Sequence, residues 1–267
     1  MSINAILPLR GRCRRFSADG GGMRGKGQSP FGASHHFPLR GKSVILLALS
    51  LAACRAPPQP ADDFPRPDRP VASIVSDSFS TEDARDRLGE AEQVMALAGI
   101  GPGMWIADIG AGEGYYAVRL ARAVGAEGRV LAEDIVPETR DRLAMRVQRE
   151  NLDNVAVRLG KPDDAMLPAN SFDRVLMVHM YHEVQSPYAL LWRLREGLKE
   201  GGEIVVVDAD RPTNRHGVPP KLLECEFKAV GYQMTRMQRI TDGESYFASF
   251  KIAGPRPEPG SIKPCKA

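Results

Sequence analysis

The stretch Trp105-Ile106-Ala107-Asp108-Ile109-Gly110-Ala111-Gly112-Glu113-Gly114-Tyr115-Tyr116 constrains the fold more than any other part of this chain. An apolar run enters Asp-x-Gly-x-Gly-x-Gly and then a helical pattern, which is how an open α/β sheet makes a turn where a ligand can lie against the backbone. A dinucleotide site uses G-x-G-x-x-G, with the last glycine packing the helix on the strand. Here the third glycine arrives one residue early, at Gly114, and Tyr115 occupies the position the longer spacing needs. NAD-type binding is therefore disfavoured. Glycines at these positions also suit a tight strand-to-helix turn with no ligand, so the residues downstream decide.

A helix is expected over Tyr116–Val124, then a second strand over Arg129–Ile135 that ends in two acids, Glu133 and Asp134. One carboxylate can accept hydrogen bonds from both hydroxyls of a ribose. Asp134, at the strand end, is preferred to Glu133 for that part. A third strand over Asn154–Leu159 leads to Gly160-Lys161-Pro162-Asp163-Asp164-Ala165-Met166-Leu167-Pro168, and Ser171-Phe172-Asp173-Arg174 leads into a fourth, Val175–Val178. In this order the motifs resemble the class I S-adenosylmethionine-dependent methyltransferases, over roughly residues 80 to 253. The resemblance implies S-adenosylmethionine as cofactor. It places Gly110, Gly112, Gly114 and Tyr115 against the amino-acid end of the cofactor, with Asp108 helping to hold it. Asp134 then meets the ribose, and Asp163, or its neighbour Asp164, lies near the adenine amino group.

The remaining pattern completes an α/β architecture. Thr81–Leu97 carries Leu88, Ala91, Val94 and Met95 at helical spacing, and Pro187–Leu198 reads as another helix. Glu203–Asp208 is a fifth strand. Lys221–Val230 reads as a helix, and Tyr232–Ile240 and Ser245–Ile252 as a strand pair joined by Thr241-Asp242-Gly243-Glu244. The fold expected from these elements and the resemblance is a three-layer αβα sandwich, a Rossmann-like seven-stranded sheet with an antiparallel last strand.

Chemistry is expected beyond the fourth strand, at His179-Met180-Tyr181-His182-Glu183-Val184. Methyl transfer to oxygen or nitrogen is an in-line displacement from a sulfonium, so alignment supplies most of the catalysis and a base is needed only for a protonated nucleophile. His182 is the candidate base, oriented by Glu183, with the Tyr181 ring facing the sulfonium; the alternative role for His182 is capping of the next helix. Asp210, Arg211 and His216 follow the fifth strand and are expected to line the acceptor pocket. No Asn-Pro-Pro-aromatic signature of amino-group methylation of nucleic acid bases follows the fourth strand, which either points to a small-molecule methyl acceptor or is silent on the acceptor. No metal-ligand spacing is present, and the cysteine clusters of arsenic methyltransferases are missing.

The ends of the chain speak about location. Arg40 and Lys42 precede the apolar run Val44–Ala53, too short to span a bilayer but matching a signal-peptide core. Leu51-Ala52-Ala53-Cys54 resembles the lipobox of bacterial lipoproteins, with Cys54 as the lipidated residue. Residues 1–53 then form a signal peptide with an over-long start, or a mis-assigned one, and residues 54–79 a Pro-rich tether. The methyltransferase-like domain is placed at 80–253 and a flexible tail at 254–267. This predicts a lipid-anchored protein of the cell envelope facing the periplasm, touching membrane only through Cys54; a misread leader would leave it cytoplasmic. An envelope-anchored nucleoside-binding or interaction domain without catalysis is the competing functional class.

Removing the leader changes the meaning of the charge. Residues 1–53 hold eight Lys or Arg against one acid, so a chain of net charge +3 has a remainder of net −4. A mildly acidic domain argues against nucleic acid as a partner. Cys225 and Cys265 could pair in an oxidising compartment; a buried Cys225 with a free tail thiol is the preferred alternative.

Overall fold

The structure is a computed structural model that describes residues 63–74, 82–240 and 243–266. The leader, the proposed lipid site at Cys54 and much of the expected tether lie outside those residues. Five strands, β1 (Trp105–Ile109), β2 (Arg129–Asp134), β3 (Val155–Leu159), β4 (Phe172–Val178) and β5 (Leu198–Ala209), run parallel. β6 (Tyr232–Arg239) and β7 (Ser245–Ile252) complete a seven-stranded sheet of order β3-β2-β1-β4-β5-β7-β6, with β7 antiparallel to both neighbours. This is the expected Rossmann-like sheet with a reversed last strand.

Alternation along the strands builds the layers. Ala107, Ile109, Val175, Met177, Ile204 and Val206 face one core, shared with α5 (Pro187–Gly197) and α6 (Pro220–Ala229). Ile106, Leu176, Val205 and Val207 face the other, under α2 (Glu90–Leu97) and α3 (Tyr115–Val124). Central strands covered on both faces must be apolar at every position, which is why Ile204 to Val207 are all buried. A helix not foreseen in the sequence, α4 (Pro137–Arg149), crosses between β2 and β3. It starts on a proline at its first position, carries Glu138 in its first turn and Arg146 and Arg149 in its last, and stops where Asn151 turns left-handed.

Three expectations are corrected. The segment read as one helix over Thr81–Leu97 is two, α1 (Glu82–Arg87) and α2, because Gly89 takes a left-handed conformation (φ 63°) between them; Leu88, placed inward by periodicity, is exposed. The tail beyond 253 is packed rather than loose. Cys265 forms a disulfide with Cys225 of α6, Ile262 is buried, and Trp192 donates to the Pro257 carbonyl at 2.8 Å. Residues 63–74, read as tether, also dock on the domain. Arg69 is buried against Glu226 of α6, Phe64 meets Trp192 edge to face, and Asp68 makes a parallel bridge to Lys266. Low apolar content and prolines hid both segments, since a strap needs only a few anchors to be held.

Candidate active site

Between β1 and β4 the sheet order reverses, and the crevice beyond their carboxyl ends is where open α/β sheets bind ligands. A cavity of about 580 Å³ lies there, within the range of small-molecule sites. Its floor is the glycine turn. Gly110 (φ 67°) and Gly112 (φ 57°) both line it, and a Cβ on Gly110 would stand 3.0 Å from Cγ of Met180. Gly114 does not reach the cavity. Its φ is 94° and a Cβ there would lie 2.5 Å from Leu143 of α4, so its smallness serves helix packing instead.

Both acids that end β2 reach the cavity. Asp134 lines the cavity, and its carboxylate accepts from the amides of Gly112 (3.0 Å) and Val136 (2.8 Å), tying the glycine turn to the next loop. Glu133 lines the cavity too, and its Oε1 is buried with no hydrogen-bond partner among the described residues. Burial pushes its pKa up to about 8, with Asp134 and Asp108 adding to the rise against a bond from the Gly110 amide. Asp108 sits behind the turn, outside the lining. It is fully buried, one of its oxygens lacks a partner, and burial raises its pKa to about 7. The unmet Glu133 oxygen on the cavity wall suits a ligand that brings hydroxyl donors and no phosphate, as S-adenosylmethionine does.

Tyr115 lines the cavity with its ring between the guanidiniums of Arg85 (3.9 Å) and Arg119 (3.8 Å), and its hydroxyl donates to Asp86. Glu90 of α2, unmarked in the sequence because a helix surface is rich in glutamate, is buried in the wall. Burial alone would raise its pKa, but bonds from His179 and Arg85 bring it to about 2. Asp163 and Asp164 do not reach the cavity. Asp163 pairs with Arg193 at 2.5 Å and Asp164 accepts from the Met166 amide, while Lys161 and Pro162, just before them, line the wall instead.

The segment after β4 forms the other end of the cavity. His179 is left-handed (φ 54°), and the chain then makes a 3-10 turn, Tyr181–Glu183. His182 is buried, lines the cavity, and holds Nδ1 at 3.0 Å from both carboxylate oxygens of Asp208 at the end of β5. Glu183, expected to orient His182, is instead 3.9 Å from Nε2, on the cavity side. Asp208 fixes the ring because the carboxylate is fully buried and can accept the Nδ1 proton, which leaves the Nε2 lone pair toward the cavity. Tyr181 points the opposite way: it is buried in the core with its hydroxyl donating to Glu226 at 2.9 Å, so it faces no sulfonium. Arg211 and His216 line the cavity, whereas Asp210 is drawn out of it by Arg239.

The strap completes this end. The Ala72 amide donates to the His182 carbonyl at 3.2 Å, Thr213 donates to the Pro70 carbonyl at 2.6 Å, and Ile74 reaches the cavity wall.

Residues 106–202 match a family model described as a methyltransferase domain. The chain is 30% identical over 159 residues to a protein-L-isoaspartate O-methyltransferase of Methanopyrus kandleri, covering 53% of this chain and 68% of that one. It is 30% identical over 157 residues to a ubiquinone/menaquinone biosynthesis C-methyltransferase of Teredinibacter turnerae, covering 56% and 59%. A similar protein-L-isoaspartate O-methyltransferase of Ignicoccus hospitalis is spanned over about half its length, 48%. Among solved structures, a SAM-dependent methyltransferase from Aquifex aeolicus superposes with a TM-score of 0.59 at 24% identity, covering 64% of this chain and 93% of that one. The [4+2]-cyclase SpnF shares the fold as well, with a TM-score of 0.56 at 15% identity over 70% of this chain and 87% of its own. With the glycine turn, the acid pair of β2 and the sheet order in place, the chain belongs to the class I S-adenosylmethionine-dependent methyltransferases.

Proposed function

We propose that this protein transfers the methyl group of S-adenosylmethionine to a small-molecule acceptor held at the His182 end of the cavity. When bound, the cofactor supplies an electrophilic methyl on a cationic sulfur. The observation that carries the reading is the Asp208–His182 pair. Asp208 holds the ring by Nδ1, so Nε2 can accept the proton of a hydroxyl, thiol or ammonium as that atom attacks. At the other end Gly110 and Gly112 give the cofactor backbone room, Asp134 and Glu133 receive its hydroxyls, and Glu90 adds negative charge to the wall. A walled cavity of small-molecule size favours a small acceptor over a macromolecule. The relatives' printed substrates include both a protein residue and a quinone precursor pathway, so the acceptor has to be found by screening.

Calorimetric titration of the full chain with S-adenosylmethionine, S-adenosylhomocysteine and NAD tests the cofactor. Binding of the first two and not the third is the expected result. Phenols, thiols and amines are then screened for release of S-adenosylhomocysteine. Binding without release from any acceptor would favour an anchored nucleoside-binding domain; no binding would overturn the reading.

For location we propose an envelope lipoprotein acylated at Cys54. The lipobox-like sequence and the Cys225–Cys265 disulfide, a bond at home in oxidising compartments, support it. No helix among the described residues is long and apolar enough to cross a membrane. Metabolic labelling with a radioactive fatty acid should mark the wild type and not Cys54→Ser.

A further inference from the structure

The acceptor end of the cavity carries a donor set that the sequence conceals. His182, Glu183 and His216 each offer one ligand atom, these atoms all lie within 4.8 Å of one another, and all three residues line the cavity. His216 comes from the loop after β5, 34 residues from His182, which is why no ligand spacing is visible in the chain. Its ring meets that of His182 edge-on at 5.4 Å between centroids, and Glu183 Oε1 stands 3.9 Å from His182 Nε2.

We infer that these three residues bind a divalent cation of the zinc class. Two imidazoles and one carboxylate, with the remaining position facing a cavity, are the ligand number and type of catalytic zinc sites. The independent observation is Asp208. Metal-bound histidines commonly give their other ring nitrogen to a carboxylate, which fixes the tautomer and the direction of the ligating lone pair. Asp208 does this for His182 from a fully buried position, and it is itself held by the Ala209 amide at 2.8 Å. An ion with bonds of about 2.1 Å in tetrahedral geometry draws its ligands to about 3.4 Å apart. The ligand atoms therefore have about 0.5 to 1.4 Å to close on binding the ion.

The site rests on the proposed methyl transfer and refines it. With the ion bound, His182 Nε2 coordinates it, and the cation takes over the acceptor activation that the Asp208–His182 pair gives in the metal-free site. An acceptor hydroxyl or thiol takes the open position, loses its proton to water because the cation stabilises the anion, and attacks the methyl carbon. The new O–C or S–C bond forms as the sulfonium S–C bond breaks, and S-adenosylhomocysteine leaves as a neutral sulfide.

The test uses the full chain without a histidine tag, stripped with chelator and dialysed. Co²⁺ titration followed by visible absorption, and Zn²⁺ titration by calorimetry, should show one site per chain. Glu183→Gln and His216→Ala should each weaken it at least 100-fold, and Asp208→Asn by about 10- to 100-fold, as expected for an outer-shell carboxylate. Unfolding midpoints of the same samples separate loss of ligand from loss of fold, with Glu183→Gln as the conservative arm. Absence of a stoichiometric site, or a site indifferent to Glu183→Gln and His216→Ala, overturns the inference. S-adenosylhomocysteine calorimetry on these samples keeps the two readings apart: cofactor binding without metal binding sinks the cation site alone, and metal binding without cofactor binding sinks the methyltransferase reading.

Discussion

Arg69 and Glu226 form a 2.9 Å ion pair in which neither side chain is exposed, and the Tyr181 hydroxyl donates to the second oxygen of the same carboxylate. One residue from the strap, one from α6 and one from the turn that carries His182 thus share a buried charge. Removing a single partner of such a pair costs about 3 to 5 kcal/mol, because the other charge stays buried and unpaired. Arg69→Met should therefore lower stability by about that amount in urea unfolding. Arg69→Met combined with Glu226→Gln should recover part of the loss, since the neutral amide still accepts from Tyr181. Equal stability of the single variant and wild type would mean that the strap is not held as described.

Asp134→Ala removes the acceptor of the Gly112 and Val136 amides as well as the charge proposed to meet the ribose. The loss for a charged hydrogen-bond partner is about 1.5 to 3 kcal/mol, so affinity for S-adenosylhomocysteine should drop roughly 10- to 150-fold in calorimetry. Gly112→Val should bind still more weakly, with the glycine's φ of 57° adding strain.

Gly114→Ala should act on the fold rather than on the ligand. The added Cβ meets Leu143 at 2.5 Å, and α4 must shift to admit it. A destabilisation of about 1 to 3 kcal/mol is expected from overpacking, with affinity per folded molecule nearly unchanged. A variant of normal stability that binds no cofactor would return Gly114 to the binding set.

Reduction should loosen the carboxyl-terminal segment. The Cys225–Cys265 bond closes 40 residues, and loop entropy alone assigns such a closure about 4 kcal/mol. Cys265→Ser, or dithiothreitol added to the wild type, should lower Tm, and dithiothreitol should have no effect on the variant.

Stability should fall with rising pH through a window set by Glu133. Its folded pKa of about 8 lies above its ordinary value of 4.5, so between those limits the folded state binds more protons than the unfolded one. Unfolding free energy then decreases from about pH 5 to pH 8 and levels above. Asp108, at about 7, acts in the same direction up to neutrality. Glu133→Gln should flatten the slope in urea titrations and raise stability at pH 8 relative to wild type.

Legibility from sequence followed the reach of each physical signal. Strands β1, β4 and β5 announced themselves because burial on both faces demands unbroken apolar runs, and β7 was bounded at Ser245–Ile252 as the structure has it. Gly110, Gly112 and Asp134 were legible from a local turn motif. The pairing of Asp208 with His182 was not, because the two lie 26 residues apart and nothing in either neighbourhood records it. Asp163 misled for the opposite reason: its spacing before Leu167-Pro168 fits the family, yet Arg193 on α5 holds it outside the cavity. Gly89 lies inside the span read as one helix and is the break between two. Proline content marked residues 55–70 as extended, which says nothing about whether an extended segment is docked.

The bridge between Asp68 and Lys266 places the first and last portions of the packed body side by side. Chain order is then largely a formality for this fold. A linker of about five or six residues, at most 3.3 to 3.6 Å each, would carry residue 266 back to residue 63. A new amino terminus opened at the exposed Ala126-Glu127 turn would leave every strand of the sheet uncut. The same closeness of ends lets the body be spliced into a surface loop of a host protein, with cofactor binding as the report that it has folded there.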